Sequence, residues 1–150
     1  MPQQPNDLPL MRQAFAAARL ARAAGNMPFG AVLVRDGTVQ WTSQNNQLTT
    51  HDCTGHAEVV LIREAAQSLG PQALQGATVY ASGEPCVMCA GAMFWAGITR
   101  IVYGAPTPEM TATLGGPSLG MRCADVLAAA RPAVEVVGPV LLDEAMAALA

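Results

Sequence analysis

The sequence predicts an α/β fold of three layers, in which helices cover both faces of a mixed five-stranded sheet. Short apolar runs typical of strands alternate along the chain with longer stretches of helical periodicity. The predicted order is α-β-β-α-β-α-β-α-β-α, and this alternation favours a central sheet packed between helices. The chain has 150 residues, of which 51% are hydrophobic, and this suits a single domain over residues 1–150 with a well-buried core.

The first predicted element is a helix over residues 8–24. Asp7 is placed to cap this helix, Pro9 lies in its first turn and Gly25 ends it. Its arginines fall on one face and leave the remaining surface apolar, so we expect the helix to pack against the rest of the protein.

A β-hairpin is predicted next. Residues 29–35 form a nearly continuous apolar run, which is typical of a buried strand. Asp36-Gly37 is a strong signal for a two-residue hairpin turn. Residues 38–44 then alternate between apolar and polar side chains, a pattern that predicts a half-exposed strand at the edge of the sheet.

The rest of the chain is predicted as an alternating series of helices and strands. The predicted ranges are a helix at 56–69, a strand at 77–82, a helix at 86–96, a strand at 98–104, a helix near 123–130, a strand near 133–138 and a last helix at 140–149. No element is predicted for the polar loop that runs to about residue 55, or for residues 105–122, which are rich in Pro, Gly and Thr.

The composition argues against a membrane span, a secretion signal and a nucleic-acid partner. Apolar stretches are interrupted well before membrane-spanning length, and the polar start of the chain lacks the pattern of a signal peptide. The net charge is −3 and there is no lysine, so a basic stripe for phosphate neutralisation is not evident. We therefore expect a small-molecule substrate and, since two of the four cysteines form a C-x-x-C pair, a reduced cytoplasmic setting.

Two short segments carry the candidate chemistry, T-G-H-A-E at 54–58 and E-P-C-V-M-C at 84–89. Cys86 and Cys89 share one face of a predicted helix, whose N-terminal dipole favours the thiolates that bind zinc. With His56 as a third ligand, one position of a zinc ion is left for water. That arrangement is typical of a catalytic zinc site, where the metal lowers the pKa of water to roughly 7.

Glu58 is the candidate proton carrier. It follows His56 by two residues, and a regular helix turns by about 200° over that interval, so the two side chains are not expected to ligate in the same way. We expect Glu58 to take a proton from the water and return it to a leaving nitrogen. General acid–base help of this kind is worth roughly 10²–10⁴-fold in rate.

The double motif H-x-E with P-C-x-x-C resembles the signature of zinc nucleobase deaminases. From about residue 29 to 103 the chain is similar to the cytidine deaminase fold superfamily, in the branch of bacterial guanine deaminases and tRNA adenosine deaminases. The resemblance implies that His56, Cys86 and Cys89 bind Zn²⁺ and that Glu58 is the proton shuttle. It also implies a homodimer, because members of this branch are generally dimers or higher oligomers.

The resemblance further implies a set of substrate-binding residues in and around the double motif. The matching positions are Asn45 for a hydrogen bond to the base, Phe29 and Trp95 for pocket walls, Ala57 and Pro85 for backbone contacts, and Glu109 for an acidic residue near the substrate. Pro85 also suits the first position of the predicted helix.

The choice of substrate depends on residues outside the zinc motif. Phe94-Trp95 resembles guanine deaminases, whereas the ten residues before it are shared with tRNA adenosine deaminases. A tRNA enzyme is expected to have a basic surface, yet no basic residue follows Arg131. We therefore favour a free nucleobase or nucleoside, a purine such as guanine, with tRNA adenosine deamination as the alternative.

Two other uses of the cysteines stay open. Cys53 and His56 together with the C-x-x-C pair would supply four ligands, as in a structural zinc site without a water position. The family position that matches Cys53 is usually proline. A redox C-x-x-C, as in thioredoxin-like proteins, would leave His56 and Glu58 without a role.

Overall fold

Five strands form one mixed sheet, in the order β2-β1-β3-β4-β5, in the computed structural model, which describes residues 3–150. The strands are β1 Gly30–Arg35, β2 Thr38–Gln44, β3 Thr78–Gly83, β4 Arg100–Ala105 and β5 Glu135–Val137. β1 pairs antiparallel with β2 and β3, while β4 pairs parallel with β3 and β5. The predicted α/β fold class is confirmed.

Seven α-helices surround the sheet within the described residues. They are α1 Asp7–Ala23, α2 Gln47–Thr50, α3 Ala57–Leu69, α4 Val87–Ala96, α5 Thr107–Leu114, α6 Cys123–Val126 and α7 Leu142–Ala147. Between residues 3 and 150, no helix combines the length and the apolar character that crossing a membrane requires.

Two apolar clusters lie on opposite faces of the sheet, as the period-two geometry of a strand requires. Val32 and Val34 of β1 face the cluster formed with α1 and α7. Ala31 and Leu33 face the cluster formed with α3, α4 and α6. The helices of the second cluster carry the double motif, so this layer positions the candidate site.

The hairpin between β1 and β2 has the predicted turn. Asp36 and Gly37 have φ values of 52° and 75°, which are the left-handed values of a primed turn. Arg35 pairs with Thr38 across this turn, and β2 is the edge strand of the sheet.

The prediction that Asp7 caps α1 is wrong, because Asp7 is the first helical residue and its side chain is buried elsewhere. Its carboxylate accepts hydrogen bonds at 2.8 Å from Arg100 Nη1 and Nη2 and at 2.7 Å from the Tyr80 hydroxyl. Burial acts to raise the pKa of Asp7, but these hydrogen bonds and one from the Gln4 amide outweigh it and lower that pKa. Asp7 therefore ties α1 to the centre of the sheet.

The helices differ from the predicted ones in number, in length and in their first residues. α2 and α5 lie in stretches for which no element was predicted, and the helix expected near 123–130 is the single turn α6. α3 and α4 each begin one residue later than predicted, so His56 and Cys86 are extended N-cap residues. Pro85 accordingly precedes the cap and is not the first helical residue.

One edge of the sheet gathers the chain segments that build the candidate site. β3 and β4 are parallel and end at this edge, as their pair Gly83 and Ala105 shows. β1 runs the opposite way and begins there, where Gly30 pairs with Gln44 at the end of β2. Ligands of α/β proteins commonly bind beyond the carboxyl ends of parallel strands.

Candidate active site

Three potential metal ligands meet where α3 and α4 begin. The Nδ1 atom of His56 lies 3.5 Å from the sulfurs of Cys86 and Cys89, and the two sulfurs are 3.6 Å apart. No second trio of His, Cys, Asp or Glu ligand atoms this compact occurs in the described part of the chain. We call these three residues the metal cluster.

The spacing of the metal cluster fits zinc. Tetrahedral zinc has bonds of about 2.3 Å to sulfur and about 2.0–2.1 Å to nitrogen, which place its ligand atoms roughly 3.6–3.8 Å from one another. The cluster therefore needs little rearrangement to hold such an ion. Because it supplies only three ligands, a fourth position would be available to a water molecule.

Electrostatics in the metal cluster favour a thiolate at Cys86. Hydrogen bonds with Cys89 and then His56 lower the pKa of the Cys86 thiol to about 4, although burial opposes them. The same contact with Cys86 raises the pKa of His56. The hydrogen bond with Cys86 and burial raise the pKa of the Cys89 thiol, so the negative charge of the pair lies on Cys86. The thiolate is the form of cysteine that binds a metal, and Cys86 is therefore the anionic ligand of the cluster.

Glu58 lies in the first turn of α3, where its side chain is turned into the protein and is 7% exposed. Burial and the neighbouring Cys86 raise the pKa of Glu58 to about 7. A carboxyl group with a pKa near neutrality can both accept and donate a proton at physiological pH. This is the property that the sequence assigned to Glu58.

An inner cavity of about 140 Å³ lies directly against the metal cluster and Glu58. Its lining comes from five separate segments of the chain. The lining residues are Phe29, Asn45, Gln47, His56, Ala57, Glu58, Gly83, Glu84, Cys86 and Met110. Of the predicted substrate residues, the structure thus brings Phe29, Asn45 and Ala57 to this cavity.

Gly83 at the end of β3 allows two side chains to close over the inner cavity. A Cβ atom at this position would lie 2.6 Å from Met110 Sδ and 2.9 Å from Phe29 Cε1, which is too close for both. The absence of a side chain at Gly83 therefore lets Phe29 and Met110 approach the backbone. These two side chains supply an apolar wall of the kind that a planar ring can pack against.

An outer cavity of about 430 Å³ adjoins the inner one and shares His56, Glu84, Cys86 and Met110 with it. Its remaining walls are the start of α4 and the stretch 107–121, which we call the outer segment. The further lining residues are Cys53, Val87, Met88, Thr107, Thr111, Pro117, Ser118, Leu119 and Met121. The inner cavity is below the usual 300–1,000 Å³ of ligand pockets, so any substrate larger than a small ring must extend outward.

Glu84 holds both ends of the outer segment. Its carboxylate accepts hydrogen bonds from the Thr107 amide at 2.8 Å and from the Cys123 amide at 2.9 Å. It also accepts from Arg122 Nε, at 2.8 Å to Oε1 and 3.0 Å to Oε2. The side chain of Glu84 is buried, so a single carboxylate fixes the chain at the start of the outer segment and just after its end.

Three of the predicted substrate residues do not line either cavity. Trp95 is 83% exposed and borders a separate groove with Gln75 and Arg131, because α4 turns by about 200° between the buried Met93 and Trp95. In the chain as described, the expected pocket wall at Trp95 is therefore not formed. Glu109 is exposed on α5, and Pro85 is buried without lining either cavity.

Cys53 does not belong to the metal cluster. It is exposed in the loop before α3 and lines only the outer cavity, whereas the compact ligand group contains His56, Cys86 and Cys89. The geometry thus gives no support to a closed four-ligand site with Cys53.

Sequence reasoning missed Gln47, Glu84 and Met110 as site residues. Gln47 is part of a polar run that carries no periodic signal, and Met110 lies in the stretch for which no element was predicted. Glu84 belongs to the E-P-C motif, and its position two residues before the ligand Cys86 could have indicated a role in the site. Its partners, however, lie more than twenty residues away and are visible only in the fold.

Comparison with known proteins places these features in a family context. Residues 4–105 match the family described as the cytidine and deoxycytidylate deaminase zinc-binding region. A probable cytosine deaminase of Schizosaccharomyces pombe is 37% identical over 147 residues, which is 93% of this chain and 88% of that protein. The guanine deaminase of Bacillus subtilis is 47% identical over 78 residues, which is 52% of this chain and 50% of that protein.

A solved structure from work on A-to-I editing by tRNA:A34 deaminases has a TM-score of 0.76 and 35% sequence identity to the chain. The superposition covers 93% of this chain and 98% of the other. The names of the three relatives refer to three different bases. The comparisons therefore agree on the kind of chemistry and leave the substrate to be argued from the site.

Proposed function

Because the chain belongs to the cytidine and deoxycytidylate deaminase zinc-binding family, we propose that it is a zinc-dependent hydrolytic deaminase of a free nucleobase or nucleoside. The observation that carries this proposal is the placement of the buried Glu58 carboxyl beside the metal cluster in one small cavity. A structural zinc site or a redox C-x-x-C pair has no use for such a carboxyl group.

The metal is proposed to be held by His56 Nδ1 and by the sulfurs of Cys86 and Cys89. Zinc in a site with three protein ligands supplies a Lewis acid and a water whose pKa is lowered to about 7. The chain contributes the Cys86 thiolate at the helix start of α4 and surrounds it with the walls of the inner cavity.

Glu58 moves the protons of the proposed reaction. It accepts a proton from the water as the oxygen bonds to the ring carbon that carries the amine. It gives that proton to the ring nitrogen beside this carbon, and it then takes the remaining proton of the new hydroxyl group and passes it to the amine nitrogen. The C–N bond breaks and ammonia leaves, while a carbonyl group and a ring N–H remain. This cycle returns Glu58 to its starting form and consumes one water for each ammonia released.

The base is held by residues from the ends of β1, β2 and α3. Phe29 contacts the ring face, and the Asn45 amide hydrogen-bonds to the ring edge. The backbone at Ala57, the first residue of α3, provides an N–H group near the reacting carbon. Such preorganised donors stabilise the charge that develops in the transition state.

The substrate is proposed to be small and uncharged, with a purine such as guanine as the first candidate. Neither the inner nor the outer cavity is lined by an arginine, and the chain has no lysine. A phosphate group would therefore find no cationic partner on these walls. The outer cavity leaves room for a sugar, so a nucleoside belongs to the same proposal.

A homodimer in the cytoplasm is also proposed. Trp95 of α4 is 83% exposed, and a large exposed aromatic side chain of this kind is typical of a subunit interface. We expect Trp95→Glu to convert a dimer to a monomer in analytical ultracentrifugation. A wild-type protein that sediments as a monomer at micromolar concentration would contradict this part of the proposal.

The test of the proposed function is an ammonia-release screen of the zinc-loaded protein. The substrates are guanine, guanosine, adenine, adenosine, cytosine, cytidine, pterins and aminotriazines, with an adenosine-containing tRNA alongside. We expect ammonia from at least one free base or nucleoside, with the matching oxo product identified by mass spectrometry. Activity on tRNA alone would overturn the substrate proposal, and no activity on any amine would overturn the enzymatic one.

A further inference from the structure

Two amide side chains stand side by side on the wall of the inner cavity. Asn45, which follows β2, is 1% exposed, and Gln47 is the first residue of α2. Both line the inner cavity together with Glu58. The proposed function uses Asn45 and leaves Gln47 without a role.

The hydrogen bonds between these two residues fix the direction of each amide. The backbone N–H of Gln47 can only donate, and it donates to Asn45 Oδ1 at 3.0 Å. The Asn45 amide is thereby oriented so that its Nδ2 donates to Gln47 Oε1 at 2.7 Å. It follows that the Gln47 oxygen faces Asn45 and that the Gln47 Nε2 group is turned away from it.

What remains free on this pair is mainly N–H. A primary amide has two hydrogens, so Gln47 Nε2 keeps both and Asn45 Nδ2 keeps one. Each amide oxygen already accepts one hydrogen bond from its neighbour and keeps one lone pair. The pair therefore offers three N–H groups against two lone pairs, and it is better suited to donate to a substrate than to accept from one.

We propose that Gln47 is a substrate-recognition residue and that the Asn45–Gln47 pair selects an amino heterocycle that also carries a ring carbonyl. A carbonyl oxygen and a nearby unprotonated ring nitrogen present adjacent acceptors to these N–H groups, O6 and N7 in guanine and O2 and N3 in cytosine. Adenine has no carbonyl and would leave part of the pair unsatisfied. This inference rests on the proposed function and narrows its substrate class.

The size of the effect follows from the position of the pair, since Asn45 is buried and Gln47 is half-buried on the wall of the inner cavity. A site built to donate hydrogen bonds discriminates against an analogue that lacks the acceptor, because the donors then lose water without gaining a partner. For one carbonyl we expect a preference of about 10- to 100-fold in kcat/KM.

The test compares substrates in which a ring N–H beside a carbonyl is replaced by N=C–H, guanine with 2-aminopurine and cytosine with 4-aminopyrimidine. The intrinsic reactivity of each pair cancels when the ratio of the variant is divided by that of the wild type. The variant is Gln47→Glu, which keeps an oxygen to accept from Asn45 Nδ2 and removes both Nε2 hydrogens. We expect the wild type to prefer the carbonyl-bearing member of whichever pair it turns over by at least about tenfold. In the variant this preference falls towards one, and most of the change lies in KM.

Leu48→Ala is the matched control, since Leu48 is the next residue of α2, is 58% exposed and lines neither cavity. Zinc content and Tm show whether each variant is folded. If Gln47→Glu does not fold, the ratio of kcat/KM for the two members of a pair is measured on the wild type alone, and a ratio of one would overturn the inference. The inference would also be overturned if Gln47→Glu folds and keeps the wild-type ratio, or if the wild type acts only on adenosine.

These results are separable from a failure of the proposed function. A zinc-loaded wild type that releases no ammonia from any amine would remove the enzyme itself, and the inference with it. An active wild type that ignores the carbonyl group would leave the deaminase standing and remove only the role of Gln47.

Discussion

The two walls of the candidate site are built in different ways. The inner wall consists of the metal cluster and Glu58, on two helix starts that pack against the apolar core. The outer wall is the outer segment, which has exposed apolar side chains and glycines with positive φ at 115, 116 and 120. The metal cluster and the proton carrier thus lie on helices that pack against the core. The surface proposed to contact the rest of the substrate lies on an exposed segment with little regular structure.

The difference also shows in how each wall is held. The inner wall is fixed by many small contacts within the core, whereas the outer segment is fixed at its two ends by the carboxylate of Glu84. A single substitution can therefore loosen the outer wall and leave the inner one intact.

The largest effect is expected from Glu58→Ala on the inner wall. Removal of the proton carrier should lower kcat by about 10²–10⁴-fold, because general acid–base help is lost. Zinc content, measured by atomic absorption, should remain as in the wild type, since Glu58 is not part of the metal cluster. A variant with near-normal turnover would contradict the role of this residue.

Asp7→Ala is expected to lower the stability of the whole fold and to leave both walls of the site in place. Loss of this carboxylate leaves Arg100 buried beside fewer partners, which should cost about 3–5 kcal/mol in the free energy of unfolding. Chemical denaturation measures this change, and KM at low temperature should stay within about twofold of wild type. A large rise in KM would mean that Asp7 affects the site directly.

The acid sensitivity of the same contact has a definite sign. The pKa of Asp7 is lowered in the folded protein from an ordinary value of 3.8. Its contribution is therefore present above pH 4 or so and is lost as pH falls through the folded value. The stability difference between wild type and Asp7→Ala should shrink at the lowest pH, and a constant difference would contradict this assignment.

Glu84→Gln is expected to separate the two walls. The weaker hydrogen bonds to Arg122 and to the two backbone amides should loosen the outer segment and raise KM by about tenfold, with a smaller change in kcat. Limited proteolysis should cut within residues 107–121 faster than in the wild type. The matched control is Glu144→Gln, whose exposed pair with Arg12 should contribute little. Equal effects of the two variants would contradict the proposal that Glu84 holds the two ends of the outer segment in place.

The smallest effect is expected from Cys53→Ser. The thiol is exposed and outside the metal cluster, so zinc content and kcat should stay within about twofold of wild type. Loss of zinc together with the fold would instead restore the structural reading with four ligands.

The sequence was informative wherever a local pattern decides the structure. Asp36-Gly37 predicts the hairpin because both residues tolerate positive φ. The two short motifs predict the ligands because residues three positions apart, such as Cys86 and Cys89, lie on the same face at a helix start. Gln47 and Met110 act through contacts with segments distant in the chain, which no local pattern encodes. Trp95 shows the reverse case, since the family resemblance implies a pocket wall while the helical turn leaves its side chain outside both cavities of this chain.

The central claim, a metal-dependent hydrolysis of a small amine, is tested most directly by one titration. The protein is stripped with a chelator, zinc is added back stepwise, and ammonia release is measured on the base that the wild type turns over. We expect activity to be lost on stripping and to return in proportion to added zinc, with its maximum at one zinc per chain. Ammonia release that persists in the stripped protein, or fails to return with bound zinc, would contradict it.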